Sequence, residues 1–124
     1  MARVLALTAD LLFGSRVQGD LSAAGDEVEL IGNEARLRAR LAETDKPVAD
    51  VLVVDLTDSE LDGARIVEVL AGEGMLSSVA TLGFYSHVDV QARERAQSAG
   101  FDLVVPRSRM AREGAQLLER LISS

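Results

Sequence analysis

Val51-Leu52-Val53-Val54-Asp55-Leu56 is the stretch on which the reading of this chain turns. Four apolar residues in a row, three of them β-branched, run up to a single carboxylate. A strand with one wet face alternates apolar and polar side chains. This one does not, so both of its faces must be covered, as in the middle of a parallel sheet. Working outward, shorter runs of the same kind occupy residues 3–8, 27–31, 79–83 and 101–105. The run Glu27-Val28-Glu29-Leu30 alternates, as a half-exposed edge strand should.

Helical periodicity fills the intervals. Met110, Gly114, Leu117, Leu118 and Leu121 stand at i, i+4, i+7, i+8 and i+11, a single face. Leu61-Asp62-Gly63 opens another such segment, in which Ile66, Val67 and Leu70 share one side. Gly25, Gly74 and Gly100 stand where helices should stop. Asp89 and Ser108 stand where helices should start. Five strand–helix units in 124 residues predict an α/β fold in one domain, residues 1–124. Its sheet is five-stranded and parallel, in the order 2-1-3-4-5, with helices on both faces. The crevice of that order lies beyond the C-terminal ends of the strands. The candidate functional residues are therefore Thr8-Ala9-Asp10, Asp55, the run Gly83-Phe84-Tyr85-Ser86-His87, and Pro106-Arg107-Ser108.

Composition removes several classes of function. With no Cys, disulfide scaffolds, zinc ribbons and thiol chemistry are excluded, and one His cannot build a multi-His metal site. No 18-residue apolar run occurs, so neither a secretory signal nor a membrane span is expected, and the default compartment is the cytoplasm. The net charge of -7 resides entirely in residues 1–62, which hold 6 basic and 13 acidic side chains. An acidic chain without a basic stripe repels a phosphate backbone, so direct nucleic-acid binding is not expected.

Two segments carry a family resemblance. Val51–Leu56, followed by Asp62-Gly63 seven and eight residues after Asp55, is similar to the phosphoacceptor strand and Asp-Gly turn of the receiver domain of bacterial response regulators. Ala99-Gly100-Phe101-Asp102-Leu103-Val104-Val105-Pro106-Arg107 is similar to the receiver's run into its last helix. The resemblance covers essentially the whole chain. It implies a two-component signalling module with Asp55 as candidate phosphoacceptor, a carboxylate that attacks phosphorus.

The resemblance also implies losses. The two receiver acids that hold Mg²⁺ fall at Thr8 and Ala9. Asp10, one place later, is either a weak metal candidate or the cap of the first helix. The receiver's Ser/Thr falls at Gly83, its phosphate-binding Lys at Arg107, and its switch aromatic at Val104. These departures make the chain a pseudo-receiver: a stand-alone module acting by protein–protein contact, with no cofactor and no enzyme activity. In that case Asp55 is a hydrogen-bonded acid at a strand end. The alternative is a phosphorylation-competent receiver in which Asp10 joins Asp55 around Mg²⁺ and Ser86 supplies the missing hydroxyl.

Partners implied by the resemblance are a histidine kinase or another signalling protein, or a second copy bound through helix 4, strand 5 and helix 5. On that face Arg93, Arg95, Arg109 and Arg112 form either intersubunit pairs or a solvated surface. Gly83 to His87 read as a binding or gating loop, or as an ordinary loop with an aromatic side chain tucked inward. Asp58-Ser59-Glu60 and Asp62 read as a solvated rim and helix cap. Enzyme readings lack their motifs. No G-x-G-x-x-G, P-loop lysine, flavodoxin-type phosphate loop or nucleophile elbow is present. An anti-anti-sigma-like domain is disfavoured because helical periodicity follows the first strand directly.

Overall fold

Side chains that alternate between two faces along the strands set the architecture. The computed structural model describes residues 2–43, 49–58, 61–86 and 89–123. Its elements are β1 (Arg3–Leu7), α1 (Leu11–Ala23), β2 (Glu27–Ile31), α2 (Glu34–Ala42), β3 (Val51–Asp55), α3 (Gly63–Gly72), β4 (Ala80–Tyr85), α4 (Val90–Ala99), β5 (Leu103–Pro106) and α5 (Arg107–Ser123). All ladders are parallel and the strand order is β2-β1-β3-β4-β5, as the sequence predicts.

Alternate residues of the central strands enter two separate cores. Val4, Ala6, Val51, Val53, Leu82 and Phe84 face the layer formed by α1 and α5, where Phe13, Val17, Leu21, Met110, Leu117 and Leu118 meet them. Leu5, Leu7, Leu52 and Val54 face the layer of α2, α3 and α4, which contributes Leu37, Ile66, Val67, Leu70 and Ala96. All five residues of β3 are buried, which explains its unbroken apolar run, whereas edge strand β2 is half exposed.

The predicted punctuation holds at most helix ends. Gly25, Gly74 and Gly100 take φ of 98°, 76° and 97°, the left-handed conformation that stops a helix. Asp10, Asn33 and Asp89 accept hydrogen bonds from the backbone N–H groups of Phe13, Arg36 and Ala92. Two boundaries move. Helix α5 starts at Arg107, so Ser108 sits inside its first turn. Strand β4 extends to Tyr85, pairing Asp55 with Phe84 and Tyr85 with Pro106. Gly83 does not end the strand because the neighbouring aromatic residues continue it comfortably.

Across the layer of α2, α3 and α4 runs a chain of ion pairs. Arg38 bridges Glu73 (2.9 Å) and Glu34 (3.0 Å), and Arg65 bridges Glu34 (2.7 Å) and Asp62 (3.7 Å). Arg95 completes it on Asp62 at 3.0 Å. Paired arginines hold the Glu34 and Glu73 carboxyls below their usual range, Arg65 being the larger influence on Glu34 and Arg38 the cause at Glu73. These groups are partly solvated, so each pair adds little on its own.

Candidate functional site

Asp55, the last residue of β3, is 1% exposed. A buried carboxylate must find donors, and three converge on it. The Thr8 hydroxyl donates to Oδ2 at 2.7 Å. On the other oxygen, Oδ1, the Thr57 backbone N–H donates at 2.8 Å and the Thr57 hydroxyl at 2.5 Å. The bond from residue i+2 is an Asx turn, a local reason for the chain to bend just after β3. Thr8 is itself 6% exposed, and its oxygen accepts the backbone N–H of Asp10 at 3.0 Å. The hydroxyls thus occupy both oxygens of Asp55 from within the fold.

Both carboxylate oxygens of Asp10 have other partners. Its Oδ1 caps α1 through the Phe13 N–H at 3.0 Å, and its Oδ2 accepts from Arg107 at 3.0 Å. The Phe13 amide, and after it the Arg107 guanidinium, hold the Asp10 carboxyl below the usual aspartate range. Arg107 also lies over the Phe13 ring, with Cζ 4.0 Å from its centroid, a cation–π contact. Phe13 in turn packs on Phe84, centroids 5.0 Å apart. Asp10, Arg107, Phe13 and Phe84 therefore form one unit that ties the start of α1 to the start of α5.

The position of Gly83 is closed. A Cβ there would lie 2.7 Å from Leu56 Cδ1 and 3.0 Å from two ring carbons of Phe101. The apolar tip of Leu56 fills the space beside β4. Gly63 is equally constrained, since a Cβ would collide with Val54, and Asp62 before it adopts the left-handed φ of 47°. Asp62 makes no capping hydrogen bond; its carboxylate pairs with Arg95 and Arg65 instead. This corrects the expected capping role, because a left-handed cap residue directs its carboxylate away from the helix amides. A solvent-open cleft of about 300 Å³ lies beyond, lined by Thr57, Asp62, Gly63, Asp89, Gln91 and Arg95 among others.

A divalent ion of the Mg²⁺ type asks for several free oxygens in octahedral array. Thr8 and Ala9 supply one hydroxyl, already donating to Asp55, and Asp10 is committed to Arg107 and the Phe13 amide. Among the described residues no three acidic or histidine groups gather at one point. The donor set does not fit such an ion.

The other candidates separate. Phe84 and Tyr85 are buried strand residues, 2% and 7% exposed, so they do not belong to a gating loop. The reason is the extension of β4, whose inward face carries Phe84 onto Phe13. Gly83 is likewise in the strand, Ser86 follows it, and His87 lies outside the described residues, as do Ser59 and Glu60. On the α4–α5 side Arg93 is exposed, Arg95 is bound to Asp62, and Arg109 and Arg112 approach Glu113 at 3.5 and 3.9 Å. Sequence reasoning missed Leu56, Thr57 and Phe13. The Asp-x-Thr spacing of Asp55 and Thr57 was an available Asx-turn signal.

No protein-family model matches the sequence, and no curated protein does. Solved structures match throughout. A putative response regulator from Chloroflexus aurantiacus superposes with TM-score 0.86 at 15% identity, covering 99% of this chain and 98% of that one. The receiver domain of a signal transduction histidine kinase from Syntrophus aciditrophicus gives 0.84 at 20% identity, covering 99% and 91%. The chemotaxis response regulator CheY4 of Vibrio cholerae gives 0.81 at 18% identity, covering 98% of each. Over nearly its whole length, this chain has the fold of the response regulator receiver domains.

Proposed function

We propose that the protein is a receiver-like signalling module that works by protein–protein contact and is not switched by Mg²⁺-dependent phosphorylation of Asp55. The observation that carries this reading is the state of Asp55: buried, with hydroxyl or amide donors on both carboxylate oxygens. Nucleophilic attack needs a free lone pair aligned on phosphorus, and the product needs cations placed to neutralise it. At this site both carboxylate oxygens already accept internal hydrogen bonds, Leu56 fills the space beside Gly83, and Arg107 is paired with Asp10. Arg107 and Asp10 form an ion pair within the chain at 3.0 Å.

In this reading the partner is a signalling protein, a histidine kinase among the possible classes, and its contact surface includes the exposed Val90 and Arg93 of α4. The module has no enzymatic activity of its own and acts in the cytoplasm. No described helix is long and apolar enough to cross a membrane.

Intact-protein mass spectrometry after incubation with Mg²⁺ and a small-molecule phosphodonor such as acetyl phosphate tests this directly. The expected result is no phosphoryl adduct at any time point. An adduct on the native chain that disappears in Asp55→Asn overturns the reading.

A further inference from the structure

The outer face of α1 is unusual for a solvent-facing helix. Phe13, Gly14, Val17 and Leu21 are buried against the sheet and α5. On the opposite side Leu12, Ser15, Gly19 and Ala23 fall within about 80° of arc at 100° per residue, and all four are exposed. None is charged, whereas the outer face of a surface helix is ordinarily its charged one. Leu12 is 87% exposed and Leu11 beside it 75%, the two most exposed large apolar side chains among the described residues. The charges of this helix, Arg16 and Asp20, stand together on one flank. Neither takes an ion-pair partner within the chain among the described residues.

We infer that this face is a self-association surface, with a second copy of the same chain as its occupant. The face is self-complementary. A two-fold axis reverses one helix against the other. An antiparallel crossing centred at the level of Gln18, midway between Arg16 and Asp20, brings Arg16 of each copy opposite Asp20 of the other, giving two equivalent ion pairs. The same axis lays Leu12 of each copy beside Ala23 of the other, while Ser15 and Gly19 let the backbones approach near the centre.

Net charge favours this face as well. Two copies at -7 each repel one another, and the contact must avoid adding to that repulsion. Leu11 to Ala23 carries one cation and one anion. At the β2 edge Glu27 and Glu29 are already paired with Arg3 (3.7 Å) and Arg40 (2.9 Å) of their own chain. On the α4–α5 side Arg95, Arg109 and Arg112 are already directed at carboxylates of their own chain. One helix pair buries less surface than a standard stable interface, so the dimer is weak and concentration-dependent.

Sedimentation equilibrium of the full chain across a wide concentration range tests the inference. It predicts a reversible monomer–dimer equilibrium, weakened at least about tenfold by Arg16→Asp or by Asp20→Arg, each of which sets like charges face to face. Mixing those two variants restores association, because in the mixed dimer both pairs again join one carboxylate to one guanidinium. Leu12→Glu weakens the dimer without altering the amide spectrum of the monomer. A chain that stays monomeric overturns the inference, as does a dimer indifferent to Leu12→Glu, which would place the contact elsewhere, for example on α4 and α5. A monomer that binds a kinase fragment through Leu12 also overturns it, by assigning the face to a different partner. None of these outcomes depends on whether Asp55 is phosphorylated.

Discussion

Gly83→Ala places a single methyl group where the fold has left none. The new Cβ lies 2.7 Å from Leu56 Cδ1 and 3.0 Å from Phe101 Cδ2 and Cε2. The Leu56 tip is flexible and swings away at a rotamer cost of about 0.5–1.5 kcal/mol. The Phe101 ring is 9% exposed and packed in the core, so it yields less easily. Overpacking of this kind costs about 1–3 kcal/mol, reduced by about 0.4–1 kcal/mol because alanine restricts the unfolded chain. The net expectation is a loss of about 1–2 kcal/mol, or about 3–8 °C in Tm for a domain of this size. Urea unfolding of the wild type, Gly83→Ala, Leu56→Ala and the double variant measures it. If Leu56 fills the Gly83 space, the double variant is less destabilised than the sum of the singles by about 1 kcal/mol. Strict additivity, within about 0.5 kcal/mol, would refute the packing argument and reopen this part of the site.

Three further outcomes are expected. Thr8→Val keeps the shape of Thr8 but leaves Asp55 Oδ2 without its donor, costing about 1–3 kcal/mol in urea unfolding; an unchanged midpoint would mean the bond contributes nothing. Asp10 has its folded pKa depressed, so its contribution is present above the unfolded aspartate value of roughly 3.9 and is lost as pH falls through the lower folded value. Acid unfolding of Asp10→Asn, followed by circular dichroism, should therefore show a shallower loss of stability than the wild type below roughly pH 4; equal slopes contradict the role given to Asp10. Glu34→Gln removes an acceptor shared by Arg38 and Arg65, and the resulting destabilisation should vanish at molar salt, where exposed charges are screened. A salt-independent loss would point to packing instead.

Much of the fold was legible because β3 has one interpretation. An apolar run closed by Asp55 reads as a covered strand, and the glycines at 25, 74 and 100 can take the left-handed conformation that ends a helix without steric cost. Asp10 and Asp89 followed from capping chemistry. What stayed hidden was long-range. The hydroxyl of Thr8 reaches Asp55 across 47 residues, and Arg107 reaches Asp10 across 97. No local pattern encodes which polar group closes which. The end of β4 was misplaced for a related reason. A glycine reads as a break in one dimension, yet Gly83 is small because Leu56 and Phe101 crowd it in three. Asp62-Gly63 was recognisable as a turn, but the ion pairs that hold Asp62 come from α3 and α4 and could not be read from spacing.

Asp55, enclosed by its neighbours, is expected to respond to neither metal nor phosphoryl chemistry. An amide-correlation NMR spectrum, titrated first with Mg²⁺ and then with beryllofluoride as a phosphoryl mimic, tests it most directly. No saturable shifts are expected at Asp55, Thr57, Gly83 or Arg107 at millimolar ligand. Saturable shifts centred on Asp55 and spreading into α4 would contradict it, showing that the Thr8 and Thr57 hydroxyls give way and that the site remains a working switch.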